Sequence, residues 1–344
     1  MTLILPTISF LILMPTIDAK LAQTITLNNG YKMPIIGLGT FESDPGDNER
    51  AVGDAIAIGY RHIDTAYFYK NEKEVGNAVR TKIAEGLIKR EDIFVTTKLW
   101  STFHEPGYVE KAFKRSFDNL NLTYIDLYLI HYPVPFQRLL KNDSFSVNDV
   151  SSFQLSPVDE NGNTLTADVD YLIVWHAMEK LVESGQVRSI GLSNFNSEQT
   201  ERVLSNSKIK PVTNQVECHP NLNQRKLIEF STARNVTITA YSPLGRPSSS
   251  NGKKLAIFDP KVLELAKKYN KTPAQIILRY TIQNGAIVIP KSTNKNRMKE
   301  NFNIFDFELS NSDMQFMHQL NNNYRLFEYS SEKNHKYYPF NIEF

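Results

Sequence analysis

The chain has 344 residues, 41% of them hydrophobic and 22% charged, enough for one large domain or two modest ones around a sizeable core. Its 39 Lys and Arg against 37 Asp and Glu leave a net charge of +2, with no basic run, which excludes bulk electrostatic binding to nucleic acid or to a membrane surface. The one cysteine, Cys218, excludes a disulfide within the chain and is expected as a small buried core residue.

The first element in chain order is apolar. Leu3 to Ile17 is interrupted by Pro6 and Pro15 and is shorter than the about 20 residues a spanning helix needs. It reads as the apolar region of a signal peptide over residues 1–19, with Ile17-Asp18-Ala19 as the cleavage site, although no Lys or Arg precedes it. Residues 20–344 are then the mature, secreted protein, not held to a membrane. The alternative is a cytoplasmic protein with an uncleaved extension, and the lone cysteine favours that compartment. Four glycosylation acceptor triplets begin at Asn121, Asn142, Asn235 and Asn270.

A hairpin follows: Thr24–Leu27 and Tyr31–Met33 flank an Asn28-Asn29-Gly30 turn. Short apolar runs then alternate with amphipathic stretches. The expected strands are Ile36–Gly39, His62–Asp64, Ile93–Lys98, Asp126–His131, Ser189–Leu192, Thr213–Glu217, Thr237–Tyr241 and Ile287–Pro290. The expected helices include Asn48–Ile58, Glu72–Glu85, Tyr108–Asn119, Tyr171–Ser184, Ser197–Ser205, Gln224–Arg234 and Pro273–Gln283. In the fourth of these, Leu172, Trp175, Met178, Leu181 and Val182 form one apolar stripe, read as core.

Eight strand-then-helix units fit a doubly wound sheet or a closed barrel. The open-sheet nucleotide fingerprint needs G-x-G-x-x-G, and Gly37-Leu38-Gly39 is followed at the third position by Glu42. The expectation is therefore an α/β fold of the (β/α)8 TIM-barrel type, a single domain. Two loops stand out, Val134–Asp170 and the small-residue segment Arg246–Gly252; both follow strands and so belong at the C-terminal mouth, where barrel active sites are built.

Polar residues sit at the ends of successive strands. Asp64 ends the second, Lys98 the third and His131 the fourth, with Tyr69 five residues beyond Asp64. Each alone reads blandly, as a cap, a surface lysine, a satisfied histidine or a rim tyrosine. Together they form an acid. A phenol of pKa about 10 is lowered by a nearby ammonium; Lys98 supplies it, Asp64 holds Lys98, Tyr69 donates a proton to a developing alkoxide and His131 hydrogen-bonds the same oxygen. The hydride source missing from such a set is a nicotinamide. The segment Pro290–Arg297 follows the last strand and opens a helix, so Lys291, Ser292 and Arg297 suit an extra phosphate and the phosphorylated dinucleotide, with a solvated basic loop as the plain alternative.

At these residues the sequence resembles the aldo-keto reductases, in particular their aldose reductase-like branch. The resemblance runs from about Thr24 to Phe344 and rests on Met33–Thr40, Gly59–Asp64, Asp126–His131, Ile190–Phe195, Asn214–Pro220, Ala240–Gly245, Ile289–Ser292 and His335–Phe340. It implies a tetrad of Asp64, Tyr69, Lys98 and His131, with Tyr69 as proton donor, NADPH as cofactor, no metal, and a monomer acting on a small-molecule carbonyl. It further implies that Ser193, Asn194 and Gln215 hold the carboxamide and that Tyr241 stacks on the nicotinamide. Ser242 and Leu244 then line the pyrophosphate path, Lys291, Ser292 and Arg297 bind the 2′-phosphate, and Glu300 and Asn301 bind the adenine. The segment after Gly245 corresponds to a loop that closes over cofactor, and the hairpin to a plug for the barrel bottom.

Departures from the branch concern substrate. Phe41 and Tyr132 stand where aldose reductases carry tryptophans, whereas Trp100 is retained; with His131 these form the expected substrate site. The longer Val134–Asp170 loop and the N-terminal stretch make sugar aldehydes poor candidates. The sequence is similar to secreted insect haemolymph enzymes that reduce 3-dehydroecdysone, which points to a steroid ketone, with short aliphatic, aromatic or sugar aldehydes as the alternative. Two other readings compete: a barrel hydrolase using Glu42 and Glu217 as paired carboxylates, and a cofactor-binding barrel without turnover.

Overall fold

The computed structural model describes residues 23–44, 46–141, 149–247 and 255–344; the expected signal peptide, Asn142 and most of the segment Arg246–Gly252 lie outside them. Strands β3 (Leu38–Gly39), β4 (His62–Asp64), β5 (Phe94–Leu99), β6 (Ile125–Ile130), β7 (Val187–Ser193), β8 (Thr213–Glu217), β9 (Thr237–Tyr241) and β10 (Ala286–Val288) form one parallel sheet in strict chain order. The sheet curls until its edges meet: parallel bridges join Ile36 to Val288 and Gly39 to Lys291, and the Gly37 amide donates to the Val288 carbonyl at 2.8 Å. The seam explains Gly39, because a Cβ there would lie 2.8 Å from the Ile289 carbonyl oxygen. A barrel leaves no strand edge for another chain to pair with.

Helices α1 (Asp47–Ile58), α2 (Glu72–Ala84), α3 (Val109–Leu120), α4 (Tyr171–Glu183), α5 (Ser197–Asn206), α6 (Arg225–Thr232), α7 (Pro260–Tyr269), α8 (Pro273–Gln283), α9 (Lys295–Phe302) and α10 (Asn311–Gln319) surround it. In α4 the buried face centres on Val174, Trp175, Met178 and Leu181; Leu172 and Val182, expected in the stripe, flank it half-buried. Each fully buried side chain of this kind contributes about 1.5–3 kcal/mol. Asp170 starts α4 by accepting from the Leu172 amide and pairing both oxygens with Arg202. Thr272 and Gln275 start α8 with a reciprocal capping pair behind Pro273.

The N-terminal end of the barrel is closed by β1 (Thr24–Thr26) and β2 (Lys32–Pro34), an antiparallel hairpin turned at Gly30 (φ +87°). Leu27 and Met33 pack on Phe94, Leu127, Leu129, Val212 and Ile287, the lower layer of the barrel interior. Asn28 Nδ2 donates to the carbonyls of Pro211 (2.8 Å) and Asn235 (3.0 Å), and Asn29 Nδ2 donates to Ser189 Oγ (2.9 Å). The turn thereby gives strand-end groups hydrogen-bond partners.

Cys218 is buried, and burial pushes its thiol up to about 12, so it is an inert core group. The acceptor residues Asn121, Asn235 and Asn270 are exposed and all have positive φ (48°, 56° and 53°), with Asn121 and Asn270 ending α3 and α7. Asparagine suits that left-handed position, which is a backbone reason for three of the four triplets. Among the described residues no helix is long and apolar enough to cross a membrane.

Candidate active site

The C-terminal mouth opens into a cleft of about 720 Å³. Asp64 ends β4, and a 3-10 turn over Tyr67–Tyr69 swings Tyr69 back above it, helped by Lys70 in a left-handed conformation. Lys98 projects from β5 and is 0% exposed; His131 follows β6 and is 8% exposed. Lys98 Nζ donates to Asp64 Oδ1 (2.6 Å), to the Thr65 carbonyl (2.9 Å) and to Tyr69 Oη (3.2 Å), so all three ammonium protons are directed. The Tyr69 and His131 rings meet edge to face with centroids 5.6 Å apart. The expected tetrad is therefore one connected group.

Its electrostatics differ from the expectation in one respect. Burial raises the Tyr69 phenol well above 10, and Asp64 and Tyr329 add to the shift; Lys98 does not bring it down. Tyr69 is thus fully protonated at rest, the form a proton donor needs. Lys98 is placed to stabilise the phenolate as the proton leaves. Burial lowers the Lys98 ammonium against the pull of Asp64. Burial and the Lys98 charge hold His131 well below 6.5, so it is a neutral imidazole that donates through one nitrogen only. Its Nδ1 is buried without a hydrogen-bond partner among the described residues.

The other half of the cleft is lined by Ser193, Asn194, Gln215, Tyr241, Ser242 and Leu244, then by Lys291, Ser292, Arg297, Glu300 and Asn301, the whole of the expected cofactor set. Gln215 has a second task that sequence reasoning missed: its Nε2 donates to Asp64 Oδ2 at 2.8 Å, fixing the carboxylate that fixes Lys98. Asn194 takes a left-handed φ of 62° and ties three loops together, donating to the His131 carbonyl (2.9 Å) and accepting from Tyr241 Oη (2.8 Å). Lys291 and Arg297 make no ion pair among the described residues, and they stand at the start of α9, where Asn294 is the cap. Two unpaired cations, a hydroxyl and a helix N-terminus fit a phosphate monoester. Strand-end amides beside a tyrosine ring fit a carboxamide on a flat heterocycle. The residues present therefore suit the dinucleotide.

On the substrate side Phe41 and Trp100 line the cleft with Phe68, Phe136, Phe327 and Tyr329. Trp100 stacks on Phe68 (centroids 4.0 Å) and meets His131 edge-on (5.0 Å). Tyr132, expected in this wall, is buried behind it. Tyr329 of the C-terminal segment covers its ring at 4.6 Å, so Tyr132 supports the wall without lining it. The hydrolase reading fails on Glu217. That carboxylate is 0% exposed and accepts from the backbone amides of Leu326 (2.7 Å) and Phe327 (3.0 Å) and from His219 (2.9 Å). It anchors the C-terminal segment over the mouth, whereas Glu42 pairs with Arg246 across the cleft. Phe327 and Tyr329 carry no motif that marks them; only the family-like tail at His335–Phe340 hinted at this wall.

A model of the aldo/keto reductase family matches residues 35–322. Aldo-keto reductase family 1 member A1-A of Danio rerio is 47% identical over 309 residues, 89% of this chain and 91% of that protein. Estradiol 17 beta-dehydrogenase 5 of Mus musculus is 42% identical, over 94% of this chain and 98% of that one. The crystal structure of a Bombyx mori aldo-keto reductase in complex with NADP superposes with a TM-score of 0.82 at 39% identity, covering 93% of this chain and 99% of the other.

Proposed function

The chain belongs to the aldo/keto reductase family, whose enzymes reduce carbonyls with NADPH, and on that footing we propose that it reduces a ketone on a flat polycyclic substrate, a steroid such as 3-dehydroecdysone. When bound, the dinucleotide supplies the hydride. His131 holds the carbonyl oxygen by a hydrogen bond, and Tyr69 Oη passes its proton to that oxygen as charge develops there. The Lys98 ammonium, 3.2 Å away, steadies the phenolate left behind, with Asp64 and the Thr65 carbonyl keeping Lys98 in place. Hydride and proton together turn C=O into CH–OH, and bulk solvent returns the proton to Tyr69.

Ser193, Asn194, Gln215 and Tyr241 would hold the nicotinamide end. Ser242 and Leu244 would lie along the diphosphate, Lys291, Ser292 and Arg297 would bind the 2′-phosphate, and Glu300 and Asn301 the adenine. The observation that carries the substrate reading is the aromatic wall of Phe41, Phe68, Trp100, Phe136, Phe327 and Tyr329, which offers ring faces and edges to a rigid apolar skeleton. The mouse relative named for estradiol supports the same class. Pure protein with NADPH is to be given 3-dehydroecdysone, other steroid ketones and short aldehydes. The expected result is a kcat/KM for a steroid ketone at least about tenfold above that for the aldehydes, since burying even two or three further methylenes is worth that much. Turnover of the aldehydes alone removes the steroid from the account.

A further inference from the structure

Glu72 opens α2, just beyond the turn that carries Tyr69, and is 2% exposed. Its Oε1 accepts from Thr97 Oγ1 at 2.7 Å and its Oε2 from Asn119 Nδ2 at 3.0 Å. Gly76, one turn later, lets α2 lie against the end of α3, where any Cβ would collide with the Leu120 carbonyl; Asn119 thereby comes within reach. Successive side chains of a strand point to opposite faces, so Lys98 enters the barrel while Thr97, beside it on β5, faces the helices. Glu72 therefore sits on the outer side of β5, next to the strand position that supplies Lys98. Both of its partners are neutral, and it makes no ion pair among the described residues. A buried charge without a cation beside it is costly to the fold, and a glutamine of the same shape would serve Thr97 at less cost.

The cations that act on this carboxylate through the protein are Arg115 on α3 and Lys98 on β5. Its other titratable neighbours are Tyr67 of the turn and Tyr128 of β6, phenols that burial holds protonated. Around Lys98 stand Asp64 and His62 of β4, Tyr69 of the turn and His131 after β6, and burial keeps both imidazoles neutral. Lys98 is thus flanked by two carboxylates, Asp64 in contact inside the barrel and Glu72 on the far side of its own strand.

We propose that Glu72 is a positioning residue for the proton relay: from behind β5 its negative charge supports the Lys98 ammonium, and its bonds to Thr97 and Asn119 fix the end of the turn that carries Tyr69. Burial pushes Lys98 toward the neutral amine, which could not steady a phenolate, and Asp64 also holds the Gln215 amide. Glu72 touches neither substrate nor dinucleotide and acts through Lys98. The inference rests on Lys98 as the charge beside Tyr69 and not on the steroid.

The test follows kcat from about pH 6 to 11 with propanal and saturating NADPH, so the identity of the natural ketone does not enter. Glu72→Gln keeps an acceptor for Thr97 and loses the charge. Its alkaline limb is expected at least about half a pH unit below that of the wild-type enzyme, because Lys98 then sheds its proton earlier, with KM for propanal and for NADPH unchanged; at the limb this is about a threefold loss of kcat. Thr97→Val loses the hydrogen bond and keeps the charge, and its limb is expected at the wild-type position. Asn119→Lys, at a half-buried site, sets an ammonium against Glu72 and is expected to move the limb in the same direction as Glu72→Gln; it carries the test should Glu72→Gln fail to fold. Coincident limbs in the wild type, Glu72→Gln and Asn119→Lys overturn the proposal. So does a Thr97→Val limb moved as far as that of Glu72→Gln, since the hydrogen bond alone then accounts for the effect. Lys98→Met separates these failures from failure of the relay: if it is as fast as wild type, Lys98 leaves the chemistry and Glu72 with it, whereas an inactive Lys98→Met beside unmoved limbs removes Glu72 alone.

Discussion

The two ends of this barrel are built from the same strands and treated in opposite ways. At the lower end Asn28 and Asn29 reach into the gaps between strands and give carbonyl and hydroxyl groups their partners, over an apolar layer of Leu27, Met33, Phe94 and Leu129. At the upper end a lysine is sealed under a tyrosine whose pKa is driven up, and Lys291 and Arg297 line the cleft with no ion pair among the described residues. The lower end spends its polar groups on stability. The upper end keeps them for a ligand, which agrees with the division of labour usual in such barrels.

The largest expected effect tests the upper end. Tyr69→Phe is expected to lower carbonyl reduction by about 10³-fold, within the range for a lost general acid, while NADPH binding measured by fluorescence titration stays within about twofold. Because burial holds the phenol protonated, the wild-type reduction rate is expected to be flat from about pH 6 to 9 and to fall only as pH rises through a value above 10. A mutant as fast as wild type takes Tyr69 out of the chemistry, and a fall centred near pH 7 moves the proton donor elsewhere.

A smaller effect separates the two halves of the cleft. Arg297→Met is expected to weaken NADPH about tenfold and to leave NADH unchanged, as for the loss of one charge-assisted bond to phosphate. Equal weakening of both dinucleotides places the 2′-phosphate elsewhere. The smallest effect belongs to the lower end. Asn28→Ala removes two hydrogen bonds and is expected to cost about 1–2 kcal/mol of unfolding free energy in a urea titration, with kcat unchanged. A loss of kcat without a loss of stability breaks the contrast between the ends.

How far the sequence showed this division depends on the distance between partners. Asp64, Tyr69, Lys98 and His131 were legible because parallel strands of a barrel place their ends at one rim, and Lys291–Arg297 because a phosphate loop is local. Strand limits shifted by a residue or two, and Ile36 proved to be a seam bridge outside β3. Helices α7 and α10 went unassigned, the first beside the segment outside the described residues and the second with only Met317 as a buried apolar anchor. Tyr132 was misplaced because its cover, Tyr329, comes from nearly two hundred residues further along the chain. The anchoring role of Glu217 was hidden for the same reason. A carboxylate that anchors a distant backbone has no local pattern to announce it.

Glu217 holds the C-terminal segment by two main-chain amides, which any residue at positions 326 and 327 other than proline can supply. The anchor is therefore indifferent to which side chains the segment carries toward the mouth. Descendants of this gene can exchange those side chains freely and acquire new tastes in metabolites, while the proton relay beneath is inherited untouched.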